Sequence, residues 1–367
     1  MANPSFRKVV VDLPQRGYDI VIGPGALATC HEFITQRSTA EHYVVVTDSN
    51  VDELYADRLA DFLSAQGLEI HVLVVDPGEE SKSPDVVAEI WETMLSEGSD
   101  RTTAILAVGG GVVGDLAGFI AATFARGIPY FQIPTTLLAQ VDSSVGGKVG
   151  INLPEAKNMV GAFWQPAGVL VDVDVLASLP DRELAAGLAE VVKYGVILDA
   201  EFFAWLEEHA EAIWARDTDL LTQVVERCCR LKADVVIADE QERKGTRIKL
   251  NYGHTFGHAL EAVTGYGQIL HGEGVAIGMI CASRLAERMG RIGADVTERQ
   301  VRLLSQFRLP TELPAVDVDE MLRLMWHDKK VEHGEIRFVL PSALGRVEAI
   351  GNISSGLVKE ILTTPDA

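Results

Sequence analysis

Three of the chain's nine histidines crowd one short stretch: Asn251-Tyr252-Gly253-His254-Thr255-Phe256-Gly257-His258, then His271-Gly272-Glu273. His254 and His258 are four residues apart, so on a helix they share one face. Glu190 sits within the mostly apolar run Leu188-Ala189-Glu190-Val191-Val192-Lys193-Tyr194. A carboxylate there needs a partner, because burying one unpaired is costly. Two imidazoles and a carboxylate, with one position open to substrate, form the donor set of a catalytic zinc ion. Spacing alone selects His254 and His258 as the imidazole pair. Capping or hydrogen-bonded core histidines are the competing use.

A second chemical feature is Gly109-Gly110-Gly111-Val112-Val113-Gly114-Asp115, which satisfies GxGxxG between a strand-like run and a helix-like run. Without Cβ atoms the backbone can approach a pyrophosphate, and the free N–H groups of a helix start can bind it. Two departures weaken the match. The loop follows a late strand, and no acidic residue ends a strand about 20 residues on. Asp48, at the end of an earlier strand, is the better candidate for a ribose hydroxyl, with ordinary capping as its alternative.

The third feature is a loop rich in small residues, Gln140-Val141-Asp142-Ser143-Ser144-Val145-Gly146-Gly147-Lys148-Val149-Gly150-Ile151-Asn152, followed by Lys157-Asn158. Lysines supply point charges towards phosphate, and asparagine adds directional hydrogen bonds. Arg126 lies upstream. A solvated loop is the plain alternative, but the flanking Phe163 and Trp164 argue for a segment folded against the body.

These residues need elements to hold them. Val9–Leu13, Tyr18–Ile22, Tyr43–Thr47, Ile70–Val75, Thr103–Val108 and Tyr130–Ile133 read as strands. Leu54–Gln66, Pro84–Ser96 and Leu116–Phe124 read as helices between them. This alternation predicts a mostly parallel sheet with helices on its faces. Past Leu179-Pro180 the pattern becomes helical: Asp181–Ile197, Ala200–Ala215, Asp217–Ala238, His254–Thr264, Gly272–Arg288 and Val296–Gln306. Glu335–Leu340 reads as a late strand or hairpin. The expected class is therefore α/β, with an N-terminal Rossmann-like nucleotide-binding domain over residues 1–178 and a mainly α-helical metal- and substrate-binding domain over 179–367.

Composition narrows the function classes. At 367 residues the chain can form two ordinary domains, and 47% hydrophobic residues mark it as globular. A formal charge of −21 argues against nucleic-acid or anionic-membrane partners, so an anionic substrate would need a locally basic pocket. The four cysteines, Cys30, Cys228, Cys229 and Cys281, show no metal spacing and read as reduced thiols, with adjacent Cys228 and Cys229 expected to face in and out of a helix. With neither a signal-peptide pattern nor an apolar run of ~20 residues, a soluble cytoplasmic protein is expected.

Gly109–Asp115, the run from Pro134-Thr135-Thr136 to Gly146-Gly147-Lys148, Lys157-Asn158, Glu190–Gly195, Asn251–His258 and His271-Gly272-Glu273 together resemble the 3-dehydroquinate synthase branch of the sugar-phosphate cyclase family. The resemblance spans about Asp48 to Lys330, and its long middle segment is highly specific. It implies a homodimeric enzyme using NAD and a divalent metal, usually zinc, with cobalt as a substitute. The implied metal ligands are Glu190, His254 and His271, not the pair that spacing selects, with His258 left near the substrate phosphate. Implied nucleotide contacts are Asp48, Gly78, Glu79, Lys82, Gly111, Val112, Val113, Gly114, Asp115, Thr135, Thr136, Lys148, Lys157, Leu176, Ser178 and Leu179. Implied substrate and catalytic residues are Arg126, Asp142, Lys148, Lys157, Asn158, Lys193, Lys232, Arg247, Asn251, His258 and one of Lys329 or Lys330.

The activity so implied is conversion of 3-deoxy-arabino-heptulosonate 7-phosphate to 3-dehydroquinate and phosphate, a shikimate-pathway step of aromatic amino-acid synthesis. It proceeds by NAD-dependent oxidation, phosphate elimination, reduction and intramolecular aldol closure. Small departures occur at Ala156, where glycine is common, at Gly274, where alanine is common, and at Ser178, where threonine often stands. Competing readings are a cyclase for sedoheptulose 7-phosphate, a metal-dependent alcohol dehydrogenase that releases NADH, and a decayed site used only for binding. Asn158, Arg247 and the Asp142–Lys148 string favour the dehydroquinate synthase type.

Overall fold

The computed structural model describes residues 6–154, 156–265, 267–327, 331–332 and 335–363. The chain divides into two compact units, Met1–Leu179 with Leu221–Gln241, and Pro180–Leu220 with Glu242–Ala367. Among the described residues no helix is long and apolar enough to cross a membrane.

In the first unit the strands are β1 (Arg7–Val11), β2 (Tyr18–Gly23), β3 (His42–Asp48), β4 (Glu69–Val75), β5 (Ala104–Gly109), β6 (Tyr130–Pro134), β7 (Lys148–Leu153), β8 (Ala156–Phe163) and β9 (Gly168–Asp172). Its helices are α1 (Cys30–Thr35), the single turn α2 (Ser49–Val51), α3 (Asp57–Ala65), α4 (Pro84–Ser96) and α5 (Gly111–Thr123). Seven strands form one sheet in the order β1-β2-β9-β6-β5-β3-β4, parallel throughout except for the β1–β2 hairpin. The central strands are apolar on both faces because both are covered. Tyr43 and Val45 of β3 pack with Leu59 and Leu63 of α3. Val44 and Val46 point the other way, to Val87 and Ile90 of α4 and Leu116 and Ile120 of α5.

The helical unit holds α6 (Asp181–Leu198), α7 (Ala200–Trp214), α9 (His254–Thr264), α10 (His271–Arg288), α11 (Ala294–Gln306), α12 (Val318–His327) and α13 (Ser355–Thr363). Most of α8 (Thr218–Ala238) belongs to the first unit, where Cys229 Sγ donates to the Gln140 carbonyl. Short strands β10 (Val331–Glu332), β11 (Glu335–Ile336), β12 (Phe338–Ala343) and β13 (Arg346–Ile350) form two antiparallel pairs.

Several expectations need correction. The stretch read as a loop around Lys157-Asn158 is the β7–β8 hairpin. Its alternation is hidden by Gly150 and Gly161, whose backbones face each other too closely for side chains. The strand β9 and the helices α12 and α13 also escaped the reading, and α5 begins at Gly111 rather than Leu116. Cys228 and Cys229 are not one in and one out, since both are fully buried. Burial pushes the Cys229 thiol up to about 12, which makes it a poor nucleophile.

Candidate active site

In the first unit the strand order explains why the glycine loop follows β5. The chain runs from β3 outward to β4, returns through α4 to β5, and then proceeds the other way to β6. The order thus reverses between β3 and β5, and ligands of doubly wound sheets bind at the carboxyl ends of strands at such a point. Asp48 ends β3 and Gly109-Gly110-Gly111 ends the adjacent β5. Helix α5 opens directly at Gly111, and its first N–H groups have no partner within the helix. Gly114 lets α5 lie close to β6, because a Cβ there would be 2.6 Å from Gln132 Oε1. The Thr135 hydroxyl, buried beside this loop, has no hydrogen-bond partner among the described residues, while its N–H donates to the Gly109 carbonyl at 2.9 Å. A glycine cradle, a helix start and an unsatisfied buried hydroxyl fit a dinucleotide. Asp48 meanwhile caps α2, accepting from the N–H groups of Asn50 and Val51 at 2.9 and 3.2 Å.

Lys82 ties this region together. Its ammonium donates to Asp115 at 2.8 Å and to the side-chain Oδ1 of Asn158 at 2.7 Å, and lies 3.3 Å from Glu79. Burial works against that charge, but Asp115 and Glu79 outweigh it and hold Lys82 protonated. Asn152 adds a bond to Glu79 at 2.8 Å, so the turn at Gly78, the start of α5 and the β7–β8 hairpin are joined through side chains. Leu176, Ser178 and Leu179 lie on or just after the 3₁₀ segment Val173–Ser178, where Ser178 meets the Tyr55 hydroxyl at 2.6 Å. Thr136 caps the turn that follows β6.

Of the basic residues in this unit, Lys148 opens β7 and is exposed, and Lys157 is half-buried on β8. Arg126 is also exposed, on a backbone held left-handed at Ala125 (φ 47°) and Arg126 (φ 68°), a strained pair for residues with a Cβ. The buried Lys232 donates to the Asp142 carboxylate and to its backbone carbonyl, each at 2.8 Å.

The helical unit brings Glu190, His254 and His271 together: one potential ligand atom from each lies within 4.8 Å of the others. Glu190 Oε1 is 3.7 Å from His254 Nε2 and 3.5 Å from His271 Nε2. His258, which spacing paired with His254, is outside this group, its ring centroid 5.3 Å from that of His254 and 6.1 Å from that of His271. Close helix packing produces the convergence. Gly272 lies so near α6 that a Cβ would be 2.1 Å from the Ala186 carbonyl oxygen. Gly253 caps α9 with φ 80°, against the backbone of α10. Glu273 accepts from the Leu270 N–H at 2.8 Å and is gripped by both ends of the Arg182 fork at 2.7 Å, fixing the first turn of α10 on which His271 sits.

The donor set fits a divalent cation. Glu190 is fully buried and forms an ion pair with Lys193, yet neither of its oxygens receives a hydrogen bond of ordinary geometry. Both imidazoles have Nδ1 engaged, His254 with the Tyr252 carbonyl at 3.0 Å and His271 with Glu261 at 3.0 Å, which leaves each Nε2 facing Glu190. Burial opposes a charged imidazolium at His271, but Glu190 and Glu261 outweigh it and push its pKa up to about 10. A dication answers the same concentration of negative charge. Sequence reasoning passes over Glu261, although its i+3 spacing from His258 was a usable signal. Arg247 is fully buried and Asn251 half-buried on the turn before α9, and Lys329 and Lys330 lie outside the described residues.

Comparison with known proteins matches this architecture. Among solved structures, 2-deoxy-scyllo-inosose synthase complexed with carbaglucose-6-phosphate, NAD+ and Co2+ is 28% identical, with a TM-score of 0.88 over 97% of this chain and 99% of the other. The 2-epi-5-epi-valiolone synthase of Streptomyces hygroscopicus subsp. jinggangensis, with NAD+ and Zn2+ bound, is 29% identical, with a TM-score of 0.87 over 96% and 97%. Glycerol dehydrogenase of Schizosaccharomyces pombe, at 18% identity and a TM-score of 0.64, shares the fold. The 3-dehydroquinate synthase of Desulforamulus reducens is 47% identical over 97% of this chain and 99% of its own length, and that of Rhodopirellula baltica is 46% identical over 95% of each. Family models match consecutively, 3-dehydroquinate synthase N-terminal over residues 72–186 and 3-dehydroquinate synthase C-terminal over 187–331. With both halves of one family in register along a single chain, and near full-length relatives at this identity, the protein belongs to the 3-dehydroquinate synthase family.

Proposed function

We propose that this protein converts 3-deoxy-arabino-heptulosonate 7-phosphate to 3-dehydroquinate and phosphate, using NAD and a divalent cation, zinc or cobalt. The observation that carries the reading is the Glu190–His254–His271 group, two imidazoles gathered on a buried carboxylate, in a chain whose near full-length relatives are 3-dehydroquinate synthases. The NAD+ with Co2+ or Zn2+ in two related cyclases supports the cofactor assignment. When bound, these groups supply transient oxidation and polarisation of a substrate hydroxyl.

The remaining work falls to the chain's own residues. Glu190, His254 and His271 are assigned as metal ligands. Nucleotide binding is assigned to residues 1–178, through Asp48, the Gly78-Glu79 turn with Lys82, Gly111 to Asp115, Thr135, Thr136, Leu176 and Ser178, together with the adjoining Leu179, and with Lys148 and Lys157 serving nucleotide and substrate alike. Metal and substrate binding are assigned to residues 179–367. Lys148, Lys157 and Arg126 offset phosphate charge, which an acidic protein has to arrange locally. The Arg247 fork suits a carboxylate, and Asn158 and Asn251 add directional hydrogen bonds. Lys232 holds Asp142 oriented through two bonds, and Lys193 and His258 are assigned to the substrate beside the cation. One of Lys329 or Lys330 completes the set. We also read the protein as a cytoplasmic homodimer without nucleic-acid or membrane partners, in keeping with four buried free cysteines and a formal charge of −21.

Incubation with the heptulosonate phosphate, NAD and zinc tests the reading. Phosphate release with 3-dehydroquinate formed and no net NADH supports it. Accumulating NADH would assign a dehydrogenase instead, and turnover of sedoheptulose 7-phosphate alone would assign another cyclase.

A further inference from the structure

We infer that Glu261 is a positioning residue for metal binding, one that sets the tautomer of His271 and holds its ring towards the ion. The inference rests on the metal site proposed above. Glu261 lies on α9 one turn beyond His258, with nine-tenths of its side chain buried. Its Oε1 is 3.0 Å from His271 Nδ1, across from the Nε2 that faces Glu190 at 3.5 Å. The two ring nitrogens are thus divided between two carboxylates from different helices.

A carboxylate can only accept, so Nδ1 carries a proton, and Nε2 is the nitrogen whose lone pair the ion takes in place of a proton. Such carboxylate–histidine–metal relays orient the ring and strengthen the ligand, and losing the outer carboxylate typically weakens metal affinity by about 10–100-fold. His254 uses the same device with a neutral partner, the Tyr252 carbonyl at 3.0 Å. At His271 the partner is charged. Glu261 therefore also adds a second negative charge near a cation whose inner carboxylate, Glu190, is already shared with Lys193. Gly274, one turn along α10 from His271, lies beside this contact, and a Cβ there would be 3.4 Å from Glu261 Oε1.

The test measures zinc affinity by chelator competition, together with the Co2+ absorption spectrum, on the full-length protein and its Glu261→Gln, Glu261→Ala and His271→Ala variants. Glu261→Ala should lose about 10–100-fold in zinc affinity. Glu261→Gln keeps an acceptor without its charge, so its loss should be smaller, and a changed Co2+ spectrum in either variant would report an altered ring geometry. Melting of the metal-free proteins separates this from a purely structural role, which would lower Tm without moving zinc affinity. If Glu261→Ala misfolds, Glu261→Gln alone decides. Wild-type affinity and spectrum in Glu261→Gln and Glu261→Ala, while His271→Ala loses zinc, overturn the role of Glu261. Loss of nothing in His271→Ala, or no stoichiometric metal in the wild type, overturns the metal site itself and the inference with it.

Discussion

Gly272→Ala adds a single methyl group next to His271, one of the three proposed metal ligands, and the structure predicts a large effect on metal binding. The new Cβ would lie 2.1 Å from the Ala186 carbonyl oxygen, 2.4 Å from its Cα and 2.5 Å from its carbonyl carbon. All three are backbone atoms, so no side-chain rotation relieves the overlap. Restoring an ordinary contact requires α6 and α10 to part locally by about 1 Å, and overpacking of this kind costs about 1–3 kcal/mol. The better helix propensity of alanine returns at most about 1 kcal/mol. Ligand distances in metal sites keep to within about 0.2 Å of their usual values. His271, the preceding residue, moves with Gly272, so the expected result is a fall in zinc affinity of about 10–100-fold, the scale on which losing a ligand's orienting partner weakens metal binding. Metal-free Tm should fall by a few degrees. Gly274→Ala is the control, because its nearest atoms would be 3.4 Å away, and this is the position where alanine is common in the resembled family. Chelator-competition titration with scanning calorimetry reads both quantities. Gly272→Ala with zinc affinity within about twofold of wild type would refute the argument that this helix contact places the ligand.

Chelation should abolish turnover, with zinc or cobalt restoring it; full activity in metal-free protein would remove the metal from the reaction. Lys148→Ala, at an exposed position, should cut turnover by about 100-fold, the scale of losing one preorganised charged donor, with an unchanged melting curve, since it opens no cavity. Arg247→Ala is less clean, because that side chain is fully buried and its loss also leaves a hole. Asp19, 2.9 Å from Lys8 and 3.0 Å from Arg37, has its carboxyl held below the ordinary range, burial opposing the shift and the two cations outweighing it. A lowered carboxylate pKa stabilises the fold above its unfolded value of about 3.9 and ceases to as pH falls through the folded value. Asp19→Asn should therefore be less stable by about 1 kcal/mol at neutral pH, and the gap should close below about pH 4 in denaturant titrations.

Much of the architecture is legible in the chain. Apolar runs such as Tyr43–Val46 can be satisfied only by a strand covered on both faces, and the long amphipathic segments after Leu179 only by packed helices. The β7–β8 hairpin was not legible, because glycine, lysine and asparagine there imitate a loop until the backbones of Gly150 and Gly161 are seen face to face.

Residue types and their local spacing are written in the sequence, and they determined the kind of chemistry: imidazoles, a carboxylate in an apolar helix, and a glycine loop between strand and helix. Which of the three crowded histidines converge was decided only by tertiary packing. On one helix His254 and His258 are the natural pair, yet Gly272 lets α10 press against α6 and carry His271 to Glu190, while His258 falls outside the group. Helical periodicity acts over one or two turns, and the meeting of three helices depends on contact distances between residues far apart in the chain, which no local spacing records.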